Sequence, residues 1–162
     1  IARVVTFKDK SLSQYENGKY AVVDSKTGKI WRGIRGKEKI TADDGTEKYV
    51  TSYYDEYWVD PYCQEVWEYN VAIAKELIER GFDEIQFDYI RFPTDGTNLA
   101  NAKYRWRDEG MDKESALISF LSYARENIDA IDLQYVNTQD TIKWNRLGQD
   151  EGVTILLTGG NH

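Results

Sequence analysis

The sequence predicts an α/β fold, a partial TIM-like (β/α) barrel in which parallel strands alternate with helices. Three observations favour this fold. Strand-like and helix-like segments follow one another along the chain, which is typical of right-handed crossovers and a parallel sheet. The segment 82–93 places polar side chains on one face of a strand and apolar ones on the other. The 162 residues are fewer than the roughly 250 that a complete eightfold barrel uses.

The first strand is expected in the run 1–7, IARVVTF, where β-branched residues are frequent. Residues 11–57 then form a long polar stretch, with strand candidates at 20–23 and 48–51. Its turn signals are Asn17-Gly18, Thr27-Gly28 and Asp44-Gly45. We interpret the stretch as an insertion after the first strand that contains a hairpin, within one domain spanning 1–162. It holds too few apolar residues for a core of its own.

Two amphipathic helices are expected. Asp60 is predicted to cap the first, with Pro61 as its opening residue and Gly81 just past its end. The second is predicted from about Asp112 to Asn127 by apolar residues at helical spacing. Further strands are expected at 131–136 and 153–157, and 144–149 is predicted as a short helix or a loop.

The strand predicted at 83–91 carries the candidate site. Alternation gives it a polar face and an apolar face, with Glu84, Gln86 and Asp88 on the first and Ile85 and Phe87 on the second. A strand covered by helices on both sides would be apolar on both faces, so the pattern favours a barrel interior. Active sites of such barrels lie at the carboxyl ends of strands, where Asp88 falls. The alternative is a structural carboxylate that pairs with Arg91 or caps the next turn.

Composition excludes several classes of function. The net charge is −7 without a Lys/Arg cluster, so nucleic acid is not an expected partner. Cys63 is the lone cysteine, which rules out an internal disulfide or a cysteine-based zinc site. No apolar run approaches the ~20 residues needed to cross a bilayer. We find no phosphate loop, Ser-His-Asp arrangement or metal-ligand spacing, and therefore expect no cofactor and no metal.

Carbohydrate is the expected partner. Aromatic residues make up 14% of the chain, and several lie in the polar segments 53–58 and 104–106. Flat apolar rings beside hydrogen-bonding groups suit sugars, whose CH faces are apolar and whose edges are hydroxyls.

Four segments together resemble a bacterial family of glycoside-hydrolase-like (β/α)8 barrels: IARVVTFKD, WVDPYCQEVWEYNVAIAKE, GFDEIQFDYIRFPTDG and WNRLGQD. The resemblance covers most of 1–150 and implies that Ile1 begins near the third barrel strand and that Asp88 ends the fourth. It also implies hydrolysis of a polysaccharide or oligosaccharide at a secreted or cell-surface location. The chain departs from the family in 133–140, LQYVNTQD, where an Asp-containing strand is expected. We expect a missing remainder of the barrel or self-association through open sheet edges.

Glycosidic hydrolysis needs two carboxyl groups. Asp88 is predicted to be the catalytic residue, and its partner stays open among Asp9, Asp95, Asp140 and residues outside this chain. The predicted substrate-binding residues are Gln86, Tyr89, Arg91, Asp9, Trp58 and Trp144.

Two other functions remain open. The unassigned second carboxyl favours a catalytically inactive carbohydrate-binding or structural barrel, which would bind an oligosaccharide without turnover. A non-carbohydrate barrel enzyme, such as a lyase or isomerase, would require a phosphate or a metal instead.

Overall fold

The computed structural model describes residues 1–128, together with the backbone of 136–138, 141–143 and 154–158. The strands in these residues are β1 (Ala2–Val5), β2 (Val23–Asp24), β3 (Ile34–Thr41), β4 (Glu47–Tyr53), β5 (Glu84–Asp88), β6 (Ala102–Lys103), β7 (Val136–Thr138), β8 (Thr141–Lys143) and β9 (Thr154–Thr158). The helices are α1 (Lys10–Gln14), α2 (Gln64–Glu79) and α3 (Lys113–Asn127). None of these helices is long and apolar enough to span a membrane.

The main sheet is open and mixed, with strand order β1-β5-β9-β8-β7. The pairs β1–β5 and β5–β9 are parallel, whereas β9–β8 and β8–β7 are antiparallel. Within the described residues the sheet ends at β1 on one side and β7 on the other. A barrel requires the strands to continue until the last one meets the first. The prediction of a (β/α) barrel is therefore wrong for this chain.

The alternation in β5 is confirmed, although it does not require a barrel. Ile85 and Phe87 are fully buried, while Glu84 and Gln86 on the other face are partly exposed. Helices α2 and α3 cover the apolar face, where the Phe87 and Phe120 rings meet edge to face at 5.5 Å. A sheet with helices on one face has the same polar–apolar alternation as a barrel strand. The sequence pattern could not distinguish the two.

Aromatic rings fill the space between the sheet and the helices. Phe120 of α3 lies 5.3 Å from Phe7, which follows β1, and 6.4 Å from Trp67 of α2. Phe120 meets each of the other two rings edge to face, which is a favoured geometry for aromatic pairs. Phe120 thus joins the sheet to both long helices.

The stretch 11–57 contains α1, β2 and the hairpin β3–β4, whose turn includes Asp44 and Gly45. The strand predicted at 48–51 lies inside β4, whereas only Val23 of the strand predicted at 20–23 belongs to β2. Val22 and Trp31 are buried in the same core as the main sheet. The hairpin itself is mostly exposed on both faces.

The helix boundaries agree with the sequence prediction in three of four places. Asp112 caps α3, accepting a hydrogen bond from the Ser115 N–H at 2.7 Å. That helix ends at Asn127, as expected. Gly81 follows α2 with a left-handed backbone (φ 91°). The start of α2 differs, because the helix begins at Gln64 with Cys63 at the N-cap position, so the predicted cap Asp60 and opening residue Pro61 both precede it.

Asp60 instead joins two loops. Its Oδ1 accepts a hydrogen bond from the Tyr62 N–H, and its Oδ2 accepts one from the Trp106 N–H, each at 3.0 Å. The side chain is fully buried, and this burial raises the pKa of the Asp60 carboxyl. A short polar side chain that accepts the N–H two residues on forms an Asx turn, which explains why α2 starts later than predicted.

Two predicted elements fall wholly or largely outside the described residues. They are 144–149 and the strand predicted at 131–136, of which only Val136 is described, as the first residue of β7. The strand predicted at 153–157 corresponds to β9.

Candidate functional site

The candidate site lies where β1 and β5 end. The two strands are parallel neighbours, with Val5 opposite Asp88. Pairing continues one step further, because the Thr6 N–H donates to the Asp88 carbonyl at 2.8 Å. The residues after both strands therefore meet at the same end of the sheet. We use the term rim cluster for the side chains gathered there: Lys8, Glu56, Trp58, Asp88, Tyr89 and Arg91.

Asp88 is a buried carboxylate with defined partners. Its Oδ2 forms an ion pair with the Arg3 guanidinium on β1, and its Oδ1 accepts the Tyr89 N–H at 2.8 Å. The sequence suggested Arg91 as a structural partner and did not indicate Arg3, which the structure places against the carboxylate. Gln86, predicted to bind substrate, lies on the same strand face and stands opposite Arg3.

Tyr89 has an unusual backbone conformation. Its φ of 54° is left-handed, a region that costs a residue with a side chain about 1–3 kcal/mol and that often occurs at functional sites. The turn directs the Tyr89 ring toward two cations, with Lys8 Nζ 4.7 Å and Arg91 Cζ 5.6 Å from its centroid. Cations over an aromatic face are attracted to its negative charge density. These two contacts hold the ring of the residue that directly follows Asp88.

Arg91 and Trp58 both pack against the Tyr89 ring. Arg91 is buried, with its Cζ 5.2 Å from the Trp58 ring and its Nη1 donating to Thr94 Oγ1 at 3.0 Å. Its buried Nε has no hydrogen-bond partner among the described residues. Trp58 is also buried, and its ring packs against both Arg91 and Tyr89.

Glu56 is a member of the rim cluster that sequence reasoning missed. Its Oε1 lies 2.8 Å from Lys8 Nζ, and both side chains are about four-fifths shielded from water. An antiparallel bridge between Lys8 and Trp58 brings the segment 53–58 to the end of β1. In sequence this segment is marked by its aromatic rings, and no local pattern distinguishes Glu56 from the neighbouring Asp55.

The other predicted site residues have different environments. Asp9 caps α1, its Oδ1 accepting the Leu12 N–H at 2.9 Å. Asp95 is linked to Arg91 through Thr94, whose hydroxyl donates to Asp95 Oδ2 at 3.3 Å. Trp144 and Asp140 lie outside the described residues. In the part of the chain that the structure describes, no group of three His, Cys, Asp or Glu side chains could hold a metal ion.

The β1–β5 pair is parallel, and charged and aromatic groups lie beyond its carboxyl end. The protein is therefore of the α/β class, with a candidate ligand site at the ends of the strands. Residues 1–144 match the family described as "Putative glycosyl hydrolase domain", and the chain belongs to this family.

One solved structure is similar to this chain in both sequence and fold. The chain is similar to a hypothetical protein from Ruminiclostridium thermocellum ATCC 27405, with 35% identity and a TM-score of 0.55. The similarity covers 78% of this chain and 52% of that one, so the chain spans about half the length of this relative. Among curated proteins, none matches the chain.

Proposed function

We propose that this chain hydrolyses glycosidic bonds in an oligosaccharide or polysaccharide, and that Asp88 is one of the two carboxyl groups involved. The observation that carries the proposal is a buried carboxylate at the carboxyl end of a parallel strand, followed by a left-handed residue. Ligands of parallel sheets bind beyond the carboxyl ends of the strands. Membership in a family described as glycosyl hydrolase supports the reaction class.

For the second carboxyl we propose Glu56. Hydrolysis requires one group to protonate the leaving oxygen and another to attack the sugar or activate water. Glu56 forms an ion pair with Lys8, and the same ammonium lies over the ring of Tyr89, the residue that follows Asp88. Asp95 is the second choice, because its link to Arg91 runs through the exposed Thr94.

Gln86 and Tyr89 would bind the sugar. The Gln86 amide and the Tyr89 hydroxyl can each donate and accept hydrogen bonds with sugar hydroxyls. Arg91 would hold the Tyr89 and Trp58 rings in place, since its guanidinium lies over both. A secreted or cell-surface location suits a protein that acts on polysaccharides, and we retain it as a prediction.

The test is the substitution Asp88→Asn. Asparagine keeps the size of the side chain but can neither attack an anomeric carbon nor exchange a proton at neutral pH. Turnover on a panel of oligosaccharides should fall at least ~10²–10⁴-fold, while the melting temperature changes little. Asp83→Asn is the matched control, because Asp83 is an exposed carboxylate just before the same strand.

The outcome also tests a second candidate, a catalytically inactive carbohydrate-binding or structural domain. The ion pair with Arg3 favours this function, because a structural role alone would explain the Asp88 carboxylate. A variant that unfolds at a lower temperature yet keeps full activity would remove Asp88 from the chemistry. Sugar binding by a wild-type protein that turns over no glycoside would identify the binding domain.

A further inference from the structure

The hairpin β3–β4 presents an exposed face with a distinctive composition. Tyr49 and Tyr53 lie on this face, with 69% and 45% of their surface exposed. Lys37 stands opposite Thr51, between the two tyrosines, and residues opposite each other in a sheet share a face. The face thus offers two aromatic residues about 14 Å apart along the strand, at ~3.4 Å per residue, with a cation between them.

The alternation of rings and cations continues beyond the hairpin. The guanidinium carbon of Arg32 lies 5.3 Å from the Tyr53 ring centroid and 4.6 Å from that of Tyr57. A second cation, Lys10, also contacts Tyr57, with its Nζ 5.2 Å from the ring centroid. We call this series the basic aromatic strip and define it by Tyr49, Lys37, Tyr53, Arg32, Tyr57 and Lys10.

The strip leads to the rim cluster. Tyr57 lies between Glu56 and Trp58 in sequence, and both of these residues contact Lys8 through the ion pair and the backbone bridge. Lys10 begins α1, two residues after Lys8. A polymer lying along the strip would therefore reach the carboxyl ends of β1 and β5, where Asp88 is located.

The charge of the strip is opposite to that of the protein as a whole. The chain has a net charge of −7, yet the strip contributes three cations and no carboxylate. Two acidic groups accompany it. Glu47 is on the same hairpin face and pairs with Lys39, which stands opposite Tyr49, and Asp55 lies 4.0 Å from Arg32. Positive groups concentrated on one surface of an acidic protein favour an anionic ligand there.

We propose that the basic aromatic strip binds an anionic polysaccharide chain, in which sugar-acid units present carboxylates to Lys37, Arg32 and Lys10. The CH faces of the sugars would stack on Tyr49 and Tyr53, the two exposed rings of the strip. Arginine recognises carboxylates through paired N–H donors, and tyrosine offers a large apolar face at low entropic cost. The proposal rests on the carbohydrate role of the Asp88 site and names its substrate class: uronic-acid polymers.

The experiment measures binding without cleavage, by calorimetry on the full chain carrying Asp88→Asn. The probes are tetramers of galacturonic, mannuronic and glucuronic acid, each compared with its methyl ester, which has the same backbone without the charge. At least one acid tetramer should bind about tenfold or more tightly than its ester, and high salt should reduce the difference. If no acid tetramer binds more tightly than its ester, the proposal is wrong.

Variants locate the binding to the strip. Replacing Lys37 and Lys10 by Ser should weaken binding of the acid tetramer about 5- to 30-fold, as expected for two partly screened charge contacts. Lys48→Ser, on the opposite face of the same hairpin, is the control and should change binding by less than about twofold. Equal effects of the two sets of variants would contradict the assignment, as would tighter binding of single-stranded DNA than of any acid tetramer.

The two proposals can fail separately. Wild-type turnover of neutral glycosides, without a preference for acid tetramers in Asp88→Asn, would refute the strip and leave hydrolysis standing. A preference for acid tetramers, without turnover of any glycoside by the wild type, would support the strip and refute hydrolysis.

Discussion

The guanidinium of Arg3 on β1 forms an ion pair with the carboxylate of Asp88 on the neighbouring strand β5. The two side chains differ in exposure, at 58% for Arg3 and 11% for Asp88. Water solvates the arginine and screens the attraction, so the pair contributes little free energy of unfolding. Its main effect is to orient a carboxylate at the carboxyl end of a strand.

Arg3→Gln should therefore lower the free energy of unfolding by at most about 1 kcal/mol, as measured by urea denaturation. If Asp88 takes part in hydrolysis, the same change should reduce turnover more than stability, because the carboxylate loses the group that orients it. Arg125→Gln, an exposed arginine on α3, is the control. A loss of several kcal/mol would mean that the pair is a structural element, contrary to this prediction.

Local features of the fold were predictable from sequence, and long-range ones were not. Asp112 and Gly81 mark helix ends through backbone requirements that neighbouring residues determine. The two faces of β5 follow from the geometry of any strand. Whether a sheet closes depends on how distant strands pair, and a helix-covered open sheet has the same alternation as a barrel.

The same limit applies to the candidate site. The position of Asp88 at the end of a buried strand could be derived, because the breaker cluster after it is local. Its contact with Arg3 joins residues 85 positions apart, and the Lys8–Glu56 pair joins residues 48 apart. No periodicity or spacing records such pairs, since they arise only when the strands and loops assemble.

Asp60→Ala should destabilise the protein by about 2–4 kcal/mol at neutral pH, measured by chemical denaturation. The substitution leaves the N–H groups of Tyr62 and Trp106 without their acceptor, and a buried unsatisfied donor costs about 1–3 kcal/mol. Asp60→Asn keeps one acceptor oxygen and should cost less. An alanine variant as stable as the wild type would show that neither bond matters for folding.

The pH dependence of stability, compared between the wild type and Asp60→Asn, tests the raised pKa of Asp60. Burial raises the folded-state pKa above the ordinary value of 3.8, so the folded state binds the proton more tightly than the unfolded state. Stability from this group therefore increases as pH falls through the raised pKa toward 3.8. The stability of the wild type relative to Asp60→Asn should increase from pH 7 to pH 4, and a constant difference would contradict the shift.

Phe120→Ala should reduce the free energy of unfolding by about 3–5 kcal/mol, because it opens a cavity where Phe7, Trp67 and Phe87 meet. Ile118→Ala on the exposed side of the same helix should change stability by less than about 0.5 kcal/mol. Thermal unfolding of both variants measures the difference. Similar melting temperatures would mean that α3 does not pack on the sheet through Phe120.

Gly33→Ala should disturb the loop after β5 without touching the site directly. A Cβ on Gly33 would lie 2.4 Å from the Asp95 carbonyl oxygen, so the backbone of the loop must move. Overpacking of this kind costs about 1–3 kcal/mol. Gly36→Ala, three residues further on in β3, is the matched control, because its Cβ would meet no atom within 4 Å.

Hydrogen exchange gives the readout for this substitution. The Thr97 N–H donates to the Ile34 carbonyl at 3.0 Å, and the Ile34 N–H donates to Asn98 Oδ1 at 2.7 Å. Both amides should exchange faster in Gly33→Ala than in Gly36→Ala, since the loop and the base of the hairpin would separate. If hydrolysis depends on the Arg91–Thr94–Asp95 contacts, turnover should fall in the first variant alone. Unchanged exchange and stability in Gly33→Ala would show that the close approach of the two segments is not required.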